Sequence, residues 1–242
     1  MEAVARGLTQ TAWAARLYLP AYQVAEAARY AGVSPSTVAA WHKASTRGTE
    51  ATLVLHARDR RASLCYLQLI EVAVVAALRA EKVPLARIAE AREYMATVLK
   101  VDYPFARYAF KTDGRRLWMD YTQVVGKRRG KGKLLGLNHN GQLAWDEIIG
   151  NRLKDFEYGG TGVVIKWKLA GPTSRVLIDP RVAFGAPAVQ GTPTWIIAGR
   201  RKAGQGVEEI AEDFSIDVES VLSALQFEEI PFDPVLNSTW IN

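Results

Sequence analysis

The side chains best suited to recognition chemistry lie between Arg29 and Lys43 of this 242-residue chain. Ser34, Ser36 and Thr37 bring three hydroxyl groups, each of which donates and accepts hydrogen bonds. Arg29 and Lys43 add positive charge, and the stretch between them contains no Asp or Glu. Hydroxyls and cations without a carboxylate complement the base edges and phosphate oxygens of a nucleic acid. The pattern therefore indicates nucleic-acid recognition.

Groups suited to catalysis are sparse by comparison. The three histidines, His42, His56 and His139, are not spaced as metal ligands, and the single cysteine, Cys65, lies in an apolar stretch. Phosphate-loop, zinc-protease and hydrolase-nucleophile motifs do not occur in the sequence. The carboxylates of residues 208–219 are typical of exposed helix faces. We therefore expect no enzyme, no bound metal and no small-molecule cofactor.

The elements that must position the three hydroxyls are two short helices within residues 22–43. Gly32 lies where a tight turn needs a positive φ, which glycine adopts without steric cost. Ser34 is a favourable N-cap, and Pro35 suits the first helical position after it. Val38 and Trp41, three residues apart, anchor the inner side of the second helix. This order predicts a helix-turn-helix, whose second helix enters the major groove of DNA.

The same spacing assigns an outer face to the second helix and to the end of the first. The predicted partner is double-stranded operator DNA, and the predicted contacts are Arg29, Ser34, Ser36, Thr37, Ala40, His42 and Lys43. A purely structural αα-hairpin has similar local signals, because a fold does not by itself fix a function. The absence of carboxylates from the outer face favours DNA binding.

Charge is distributed unevenly along the chain. The net formal charge is +5 for residues 1–100, +6 for residues 101–170 and −5 for residues 171–242. The basic residues 1–170 suit contact with phosphates. The acidic residues 171–242 would be repelled by DNA and are available for another partner. No uncharged apolar run approaches the roughly 20 residues that a membrane helix needs. The N-terminus also lacks a secretion-signal pattern, so we expect a cytoplasmic protein without membrane contact.

Two more amphipathic helices are predicted after this pair, at residues 62–81 and 84–99. The second begins with Pro84-Leu85-Ala86-Arg87-Ile88-Ala89, directly after Val83. The arrangement resembles MerR-family regulators over about the first hundred residues, which implies a DNA-binding domain there. That family ends in a long dimerisation helix and an effector site, whereas no long coiled-coil heptad appears in this chain.

Strand signals dominate the middle of the chain, residues 101–172. Hairpins are predicted around Asp113-Gly114, with a first strand at residues 105–111, and around Asn140-Gly141. Residues 163–169 alternate between apolar and basic side chains, as a half-buried strand does.

Two basic loops leave their role open. Residues 44–61 fit either a wing-like hairpin whose arginines touch the DNA backbone or an ordinary solvated loop. Residues 126–133 fit either a phosphate contact or a solvated turn, and we favour the turn.

The segment from Ile178 to Phe227 carries the most specific pattern. It reads IDPRVAFGAPAVQGTPT from Ile178 and ends in VEEIAEDFSIDVESVLSALQF, where helices are predicted at residues 207–214 and 218–227. It resembles a small trihelical bacterial domain of unknown function that recurs in antitoxins of VapBC-type operons. With the MerR-like front, the whole chain resembles a large VapB-type antitoxin.

This resemblance implies an antitoxin of a type II toxin–antitoxin system. Such a protein, expected here as a homodimer, binds a cognate PIN-domain toxin of the VapC type, a ribonuclease that uses Mg²⁺ held by carboxylates. It also represses its own operon. The last helix pair is itself helix-turn-helix-like, but its carboxylates would face phosphates, so we assign it to protein contacts or dimerisation. The alternatives are a stand-alone MerR-like regulator and a metal-dependent RNA-processing enzyme.

Toxin contacts are expected at the C-terminal end. The tail, residues 229–242, holds large apolar side chains that either pack on the protein's own core or insert into toxin grooves, with Phe232 and Trp240 as anchors. The tail has no Lys or Arg, so inhibition of the toxin's acidic site is expected either from steric cover or from a cation elsewhere, such as Arg200 or Arg201.

The expected fold class is α+β. The predicted parts are a MerR-like helix-turn-helix helical domain (1–100), a central antiparallel β-rich region (101–172), a small trihelical domain (173–228) and an extended tail (229–242).

Overall fold

A computed structural model describes residues 13–43, 54–55, 62–107 and 153–231 of the chain. These residues combine α-helices with short antiparallel strands, which confirms the predicted α+β class. The chain divides into two compact units, residues 1–167 and residues 168–242. Each unit buries apolar side chains of its own.

The first unit contains the helix pair predicted within residues 22–43 and two longer helices. The elements are β1 (Pro20–Tyr22), α1 (Val24–Ala31), α2 (Pro35–Trp41), β2 (Leu64–Cys65), α3 (Tyr66–Ala80) and α4 (Leu85–Leu99). Strands β1 and β2 pair antiparallel, and helix α1 packs against both α2 and α3.

Helix α3 is central to the first unit because apolar residues occupy nearly its whole circumference. Leu67, Ile70, Val74 and Leu78 are all buried, as are most of their neighbours. A helix that is apolar on every side must lie inside the protein. Helix α4 begins after Pro84, which serves as its N-cap. The helix predicted at residues 84–99 is therefore confirmed. The helix predicted at residues 62–81 is confirmed over Tyr66–Ala80, but its predicted start is wrong, because Leu64–Cys65 form strand β2.

One acid, Glu71, is buried within α3. Arg92 of α4 donates from Nε to Glu71 Oε2 at 3.0 Å, and its guanidinium also donates to the carbonyl of Asp102 at 2.6 Å. The N–H of Phe105 approaches Glu71 Oε1 at 3.4 Å. Burial raises the pKa of Glu71 to about 7, and the nearby Arg92 opposes that rise. A single polar network thus joins α3, α4 and the segment after α4.

The strand predicted at residues 105–111 does not begin at Phe105, and that boundary is wrong. Pro104–Ala106 form a 3-10 helix, and Arg107, the last described residue of this range, makes a strand-like bridge to Val163. The physical reason lies in the donors: Pro104 has no N–H to give, and the N–H of Phe105 is directed to Glu71. The rest of this hairpin, the hairpin around Asn140-Gly141 and the basic loop at residues 126–133 lie outside the described residues.

Strands β3 (Phe156–Tyr158) and β4 (Val164–Lys168) pair antiparallel. The strand predicted at residues 163–169 is confirmed by β4. Its inward side chains include Trp167, whose ring lies 5.9 Å from that of Phe156. On the outer side, Lys166 Nζ lies 2.8 Å from Glu157 Oε2.

The second unit is a small antiparallel meander followed by three helices. The elements are β5 (Leu177–Ile178), a 3-10 helix (Ala183–Gly185), β6 (Ala188–Val189), β7 (Thr192–Pro193), α5 (Thr194–Lys202), α6 (Val207–Phe214) and α7 (Val218–Phe227). Helix α7 packs against α5, α6 and β6. The two helices predicted at residues 207–214 and 218–227 are confirmed to the residue.

Candidate nucleic-acid interface

The turn between α1 and α2 has the geometry that the sequence predicts. Gly32 adopts φ +67°, and its N–H donates to the carbonyl of Arg29 at 3.2 Å. The next N–H, of Val33, donates to the carbonyl of Ala28 at 2.9 Å. These two bonds satisfy carbonyls that the end of a helix would otherwise leave open, as a left-handed C-cap does. The chain therefore reverses sharply after α1.

Side-chain hydroxyls fix the start of α2. Ser34 is the N-cap, and its Oγ accepts the Thr37 N–H at 3.2 Å. The same oxygen lies 2.9 Å from Ser36 Oγ and 2.8 Å from Thr37 Oγ1. The three hydroxyls thus form one cluster at the N-terminal end of α2. In helix-turn-helix proteins, the residues at this end of the second helix usually contact base edges.

Small and apolar side chains pack the two helices together. Ala27 and Ala28 of α1 are buried, as are Val38 and Trp41 of α2. Alanines allow a second helix to approach closely, and the indole of Trp41 fills the space on its inner side. The inner face is as the sequence predicts.

The opposite face of α2 is open to solvent. Ser34, Ser36, Ala40 and Lys43 are exposed, and Thr37 is half-buried. Arg29, at the end of α1, is also exposed, and its guanidinium lies 5.4 Å from the ring centroid of Tyr30. Six of the seven predicted DNA-contact residues are therefore accessible, without a carboxylate among them.

His42 is the exception. The sequence places it beside the outer face, but its side chain is only 5 % exposed. His42 is the C-cap of α2 and follows the buried Trp41, so it turns toward the interior. It does not belong to the accessible surface.

The segment after α2 is described only at Val54 and Leu55. Both side chains are buried, and the N–H of Leu55 donates to the carbonyl of Trp41 at 3.0 Å. This contact ties the returning chain to the end of α2. The remainder of residues 44–61, which the sequence leaves open as a wing-like hairpin or a solvated loop, lies outside the described residues.

Sequence reasoning missed the role of Glu71 and Arg92 beneath this interface. Helix α1 packs on α3, which carries Glu71, so the buried ion pair supports the platform on which the helix pair rests. The signal that would have found it is the lone acid inside an otherwise apolar run, because a buried carboxylate requires a partner.

The last helix pair, α6 and α7, has a turn of the same kind with the opposite charge. Ser215 adopts φ +53°, and the Asp217 side chain caps α7 by accepting the Ser220 N–H at 2.7 Å. This hydrogen bond holds the pKa of Asp217 below its ordinary value. Arg175 forms ion pairs with both Asp217 and Glu219. The outer face of α7 is thus acidic and already engaged with a cation of the same unit.

The predicted toxin-contact cations are also engaged within the second unit. Arg200 pairs with Asp213, and its guanidinium lies 5.5 Å from the ring centroid of Phe214. Arg201 donates to the carbonyl of Gln205 at 3.0 Å. Phe232 and Trp240, the predicted anchors of the tail, lie outside the described residues.

Within the described ranges, no three His, Cys, Asp or Glu residues are placed together as a metal site would need. In the same part of the chain, every helix is too short or too polar to cross a bilayer.

Two family models match the chain. The family described as "Putative DNA-binding HTH domain" matches residues 20–92, which contain α1 to α3 and part of α4. The family described as "Protein of unknown function (DUF433)" matches residues 176–227, from β5 to the end of α7.

A relative and a solved structure resemble most of the chain. The "Putative antitoxin VapB45" of Mycobacterium tuberculosis (strain ATCC 25618 / H37Rv) is 24 % identical over 231 residues, covering 87 % of this chain and 94 % of that protein. The crystal structure of Rv2018 from Mycobacterium tuberculosis superposes with a TM-score of 0.63 at 21 % identity, over 87 % of this chain and 99 % of that one. The crystal structure supports the fold alone. Together with the two matched domains, the relative confirms the resemblance to a VapB-type antitoxin.

Proposed function

We propose that this chain is the antitoxin of a type II toxin–antitoxin pair, in which α1 and α2 bind the operator of its own operon. The observation that carries the DNA-binding part is the exposed face of α2, where hydroxyls and cations are presented without a carboxylate. Base edges are read by such donors and acceptors, and phosphates by the cations. Operator binding places the protein in the cytoplasm.

The toxin-binding part rests on the resemblance. The relative of matching length is named as an antitoxin, and the acidic charge of residues 171–242 makes the back of the chain a poor DNA ligand. We assign the toxin contact to this half. The partner inferred for it is a PIN-domain ribonuclease of the VapC type.

Operator binding is tested by replacing Thr37 and Lys43 with alanine. Each lost base-edge contact should weaken binding by about 1–3 kcal/mol, and loss of the lysine should also reduce the salt dependence. The measurement is fluorescence anisotropy on the promoter DNA of the protein's own operon, at several salt concentrations. Lys154→Ala, which removes an exposed cation that belongs to neither helix of the pair, should leave binding unchanged. Wild-type affinity in the double variant would refute the assignment.

Toxin neutralisation is tested with the product of the adjacent reading frame. Co-expression should yield a complex and suppress its ribonuclease activity, whereas a stand-alone MerR-like regulator would bind DNA but no such partner. Removing residues 229–242 should abolish neutralisation and leave operator binding intact. A truncated chain that still silences the toxin would move the toxin contact away from Phe232 and Trp240.

A further inference from the structure

We propose that the exposed face of α5, together with the loop that presents Phe184, is the surface through which two copies of this chain associate. This surface, called the α5 face below, comprises Phe184, Trp195, Gly199 and Lys202. The proposal depends on the proposed operator binding at one point only, namely that the partner which covers this surface is a second copy of the chain.

Helix α5 has one buried side and one exposed side. Thr194, Ile197 and Ala198 are buried, and α5 packs against α7 and α6. Trp195 is 63 % exposed. Gly199 and Lys202, four and seven residues further on, are exposed as well and so share its side of the helix. A large indole in water on a regular helix is uncommon unless something covers it.

Gly199 lies in the interior of α5, where glycine weakens a helix relative to alanine. A Cβ built at this position meets no atom within 4 Å, and no positive φ is involved. The fold of the second unit therefore gives no reason for a glycine at this position. A close approach by a backbone or ring from outside the unit does give one.

The loop before α5 presents a second aromatic. Phe184 is 80 % exposed, and it and Ala183 adopt φ of +54° and +45°, values that are costly for residues with a side chain. The buried Asp179 helps to fix this loop by accepting hydrogen bonds from Arg181. The N–H of Thr194 donates to the carbonyl of Pro187 at 2.9 Å, which ties the end of the loop to the start of α5. Strain that fixes an aromatic outside the core is typical of a binding surface.

A second copy fits this surface because the surface complements itself. Trp195 is a protrusion and Gly199, one turn away, is a recess. An antiparallel crossing of two α5 helices about a twofold axis places each Trp195 over the partner's Gly199, as an isologous contact requires. The four aromatics of two copies would bury roughly 400–800 Å². That is less than half of the roughly 1,200–2,000 Å² that a specific interface buries, so residues around the aromatics of both the loop and the helix must also take part.

The proposed reading of DNA also calls for two copies. Helix α2 has seven residues and offers few base contacts by itself. Helix-turn-helix proteins usually overcome this limit by placing two recognition helices on successive half-sites. In the described part of the first unit, the largest exposed apolar residues are Tyr18, Leu19 and Val98. None of them lies beside a glycine such as Gly199, which the packing of its own unit does not require.

The test is sedimentation equilibrium on the full-length chain. Gly199→Gln adds a helix-favouring side chain into space that is open in the single copy, so circular dichroism and melting temperature should be unchanged or improved. The dissociation constant of the dimer should rise at least tenfold. Trp195→Gln should have an effect of the same size. The matched control is Gly160→Gln, at another exposed glycine whose added Cβ meets nothing within 4 Å, and it should sediment like the wild type.

Several outcomes would overturn the proposal. They are a wild type that is monomeric at all concentrations, or variants at 195 and 199 that remain as dimeric as the wild type. A loss of toxin co-purification with unchanged self-association would show that the α5 face holds the toxin instead. Association through this apolar face should persist at 0.5 M salt, whereas DNA binding should not. A wild type that dimerises but binds no promoter DNA would refute the proposed function and leave this inference standing.

Discussion

The first helix pair of the chain, α1 and α2, and the last one, α6 and α7, share one backbone plan and carry opposite charge. In both, an eight-residue helix ends in a left-handed residue, and the next N–H bonds back to a carbonyl of the last turn. In both, the following N-cap oxygen accepts the N–H three residues later. The correspondence holds at constant spacing: Gly32 with Ser215, Val33 with Ile216, Ser34 with Asp217, Ser36 with Glu219, Val38 with Val221, Trp41 with Ala224 and His42 with Leu225.

The correspondence explains the position that sequence reasoning misplaced. His42 stands where the second pair has Leu225, and both side chains are buried. The position is therefore an inner one in either pair, and the histidine is directed inward by the backbone. The sequence-based prediction assigned His42 to the outer face because histidine is polar, although its spacing along the helix indicates an inner position.

The difference between the pairs lies in what they present outward. Where the first pair exposes Ser36, the second exposes Glu219, which is held with Asp217 by Arg175. A carboxylate at that position would meet phosphates and base-edge acceptors with like charge. One backbone plan thus presents two faces of opposite charge, which is why the proposed assignment of DNA binding rests on side chains and not on fold.

The largest expected effect is on stability and concerns the buried ion pair between Arg92 and Glu71, on the helices that support the first pair. Arg92→Met should remove the partner of the buried Glu71 and lower the free energy of unfolding by about 3–5 kcal/mol near pH 8. Arg87→Met, which breaks a partly exposed ion pair with Glu90 on the same helix, should cost under about 1 kcal/mol. Urea denaturation of both variants measures the difference.

The loss of stability in the Arg92→Met variant should depend on pH, in a direction that follows from the pKa of Glu71. Because burial raises the pKa of Glu71 from 4.5 to about 7, the folded chain retains a proton there that the unfolded chain has released. The resulting stabilisation is complete below about pH 4.5 and is lost as the pH rises through about 7. Without Arg92 the folded pKa should rise further, so the variant's deficit should be smaller at pH 5.5 than at pH 8. Equal deficits at both values would mean that Arg92 does not compensate Glu71.

The next largest effect is expected on DNA affinity, when the negative charge that the second helix pair carries is introduced into the first pair. Ser36→Glu reproduces Glu219 on α2, and it should weaken promoter binding by about 1–3 kcal/mol or more, since a carboxylate replaces a neutral hydroxyl near phosphates. Ser36→Ala removes the hydroxyl alone and should weaken binding less. Anisotropy titrations of the two variants separate charge from contact. If the glutamate variant binds DNA as tightly as the wild type, α2 is not the reading helix.

The elements that sequence reasoning placed well are those fixed by local chemistry. Gly32, Ser34 and Pro35 set the bounds of α1 and α2 through φ preference and capping, which depend on neighbouring residues alone. The same holds for α6 and α7. Long-range packing decided the rest. The N–H of Phe105 serves the distant Glu71 in place of a strand ladder, and sequence alone does not show that pairing.

The α5 face was missed for a related reason. Phe184 and Trp195 are residue types normally found inside, and nothing local indicates that they point outward. Their exposure follows from the left-handed turn at residues 183–184 and from which side of α5 meets α7. Both are outcomes of tertiary structure.

The smallest expected effect concerns the left-handed position that both turns share. Gly32→Ala should destabilise the chain by about 1–2 kcal/mol, because a Cβ is unfavourable at φ +67° although no atom lies within 4 Å of it. Ser215→Gly should act in the opposite direction. It relieves the same penalty at φ +53°, and after the entropy that glycine loses on folding it should gain about 0.5–1 kcal/mol. Ser215→Ala keeps the Cβ and should change little. Thermal and urea unfolding of the three variants tests the pair. If Ser215→Gly and Gly32→Ala shift stability in the same direction, the two turns are not equivalent, and the shared backbone plan of the two helix pairs is refuted where they correspond most closely.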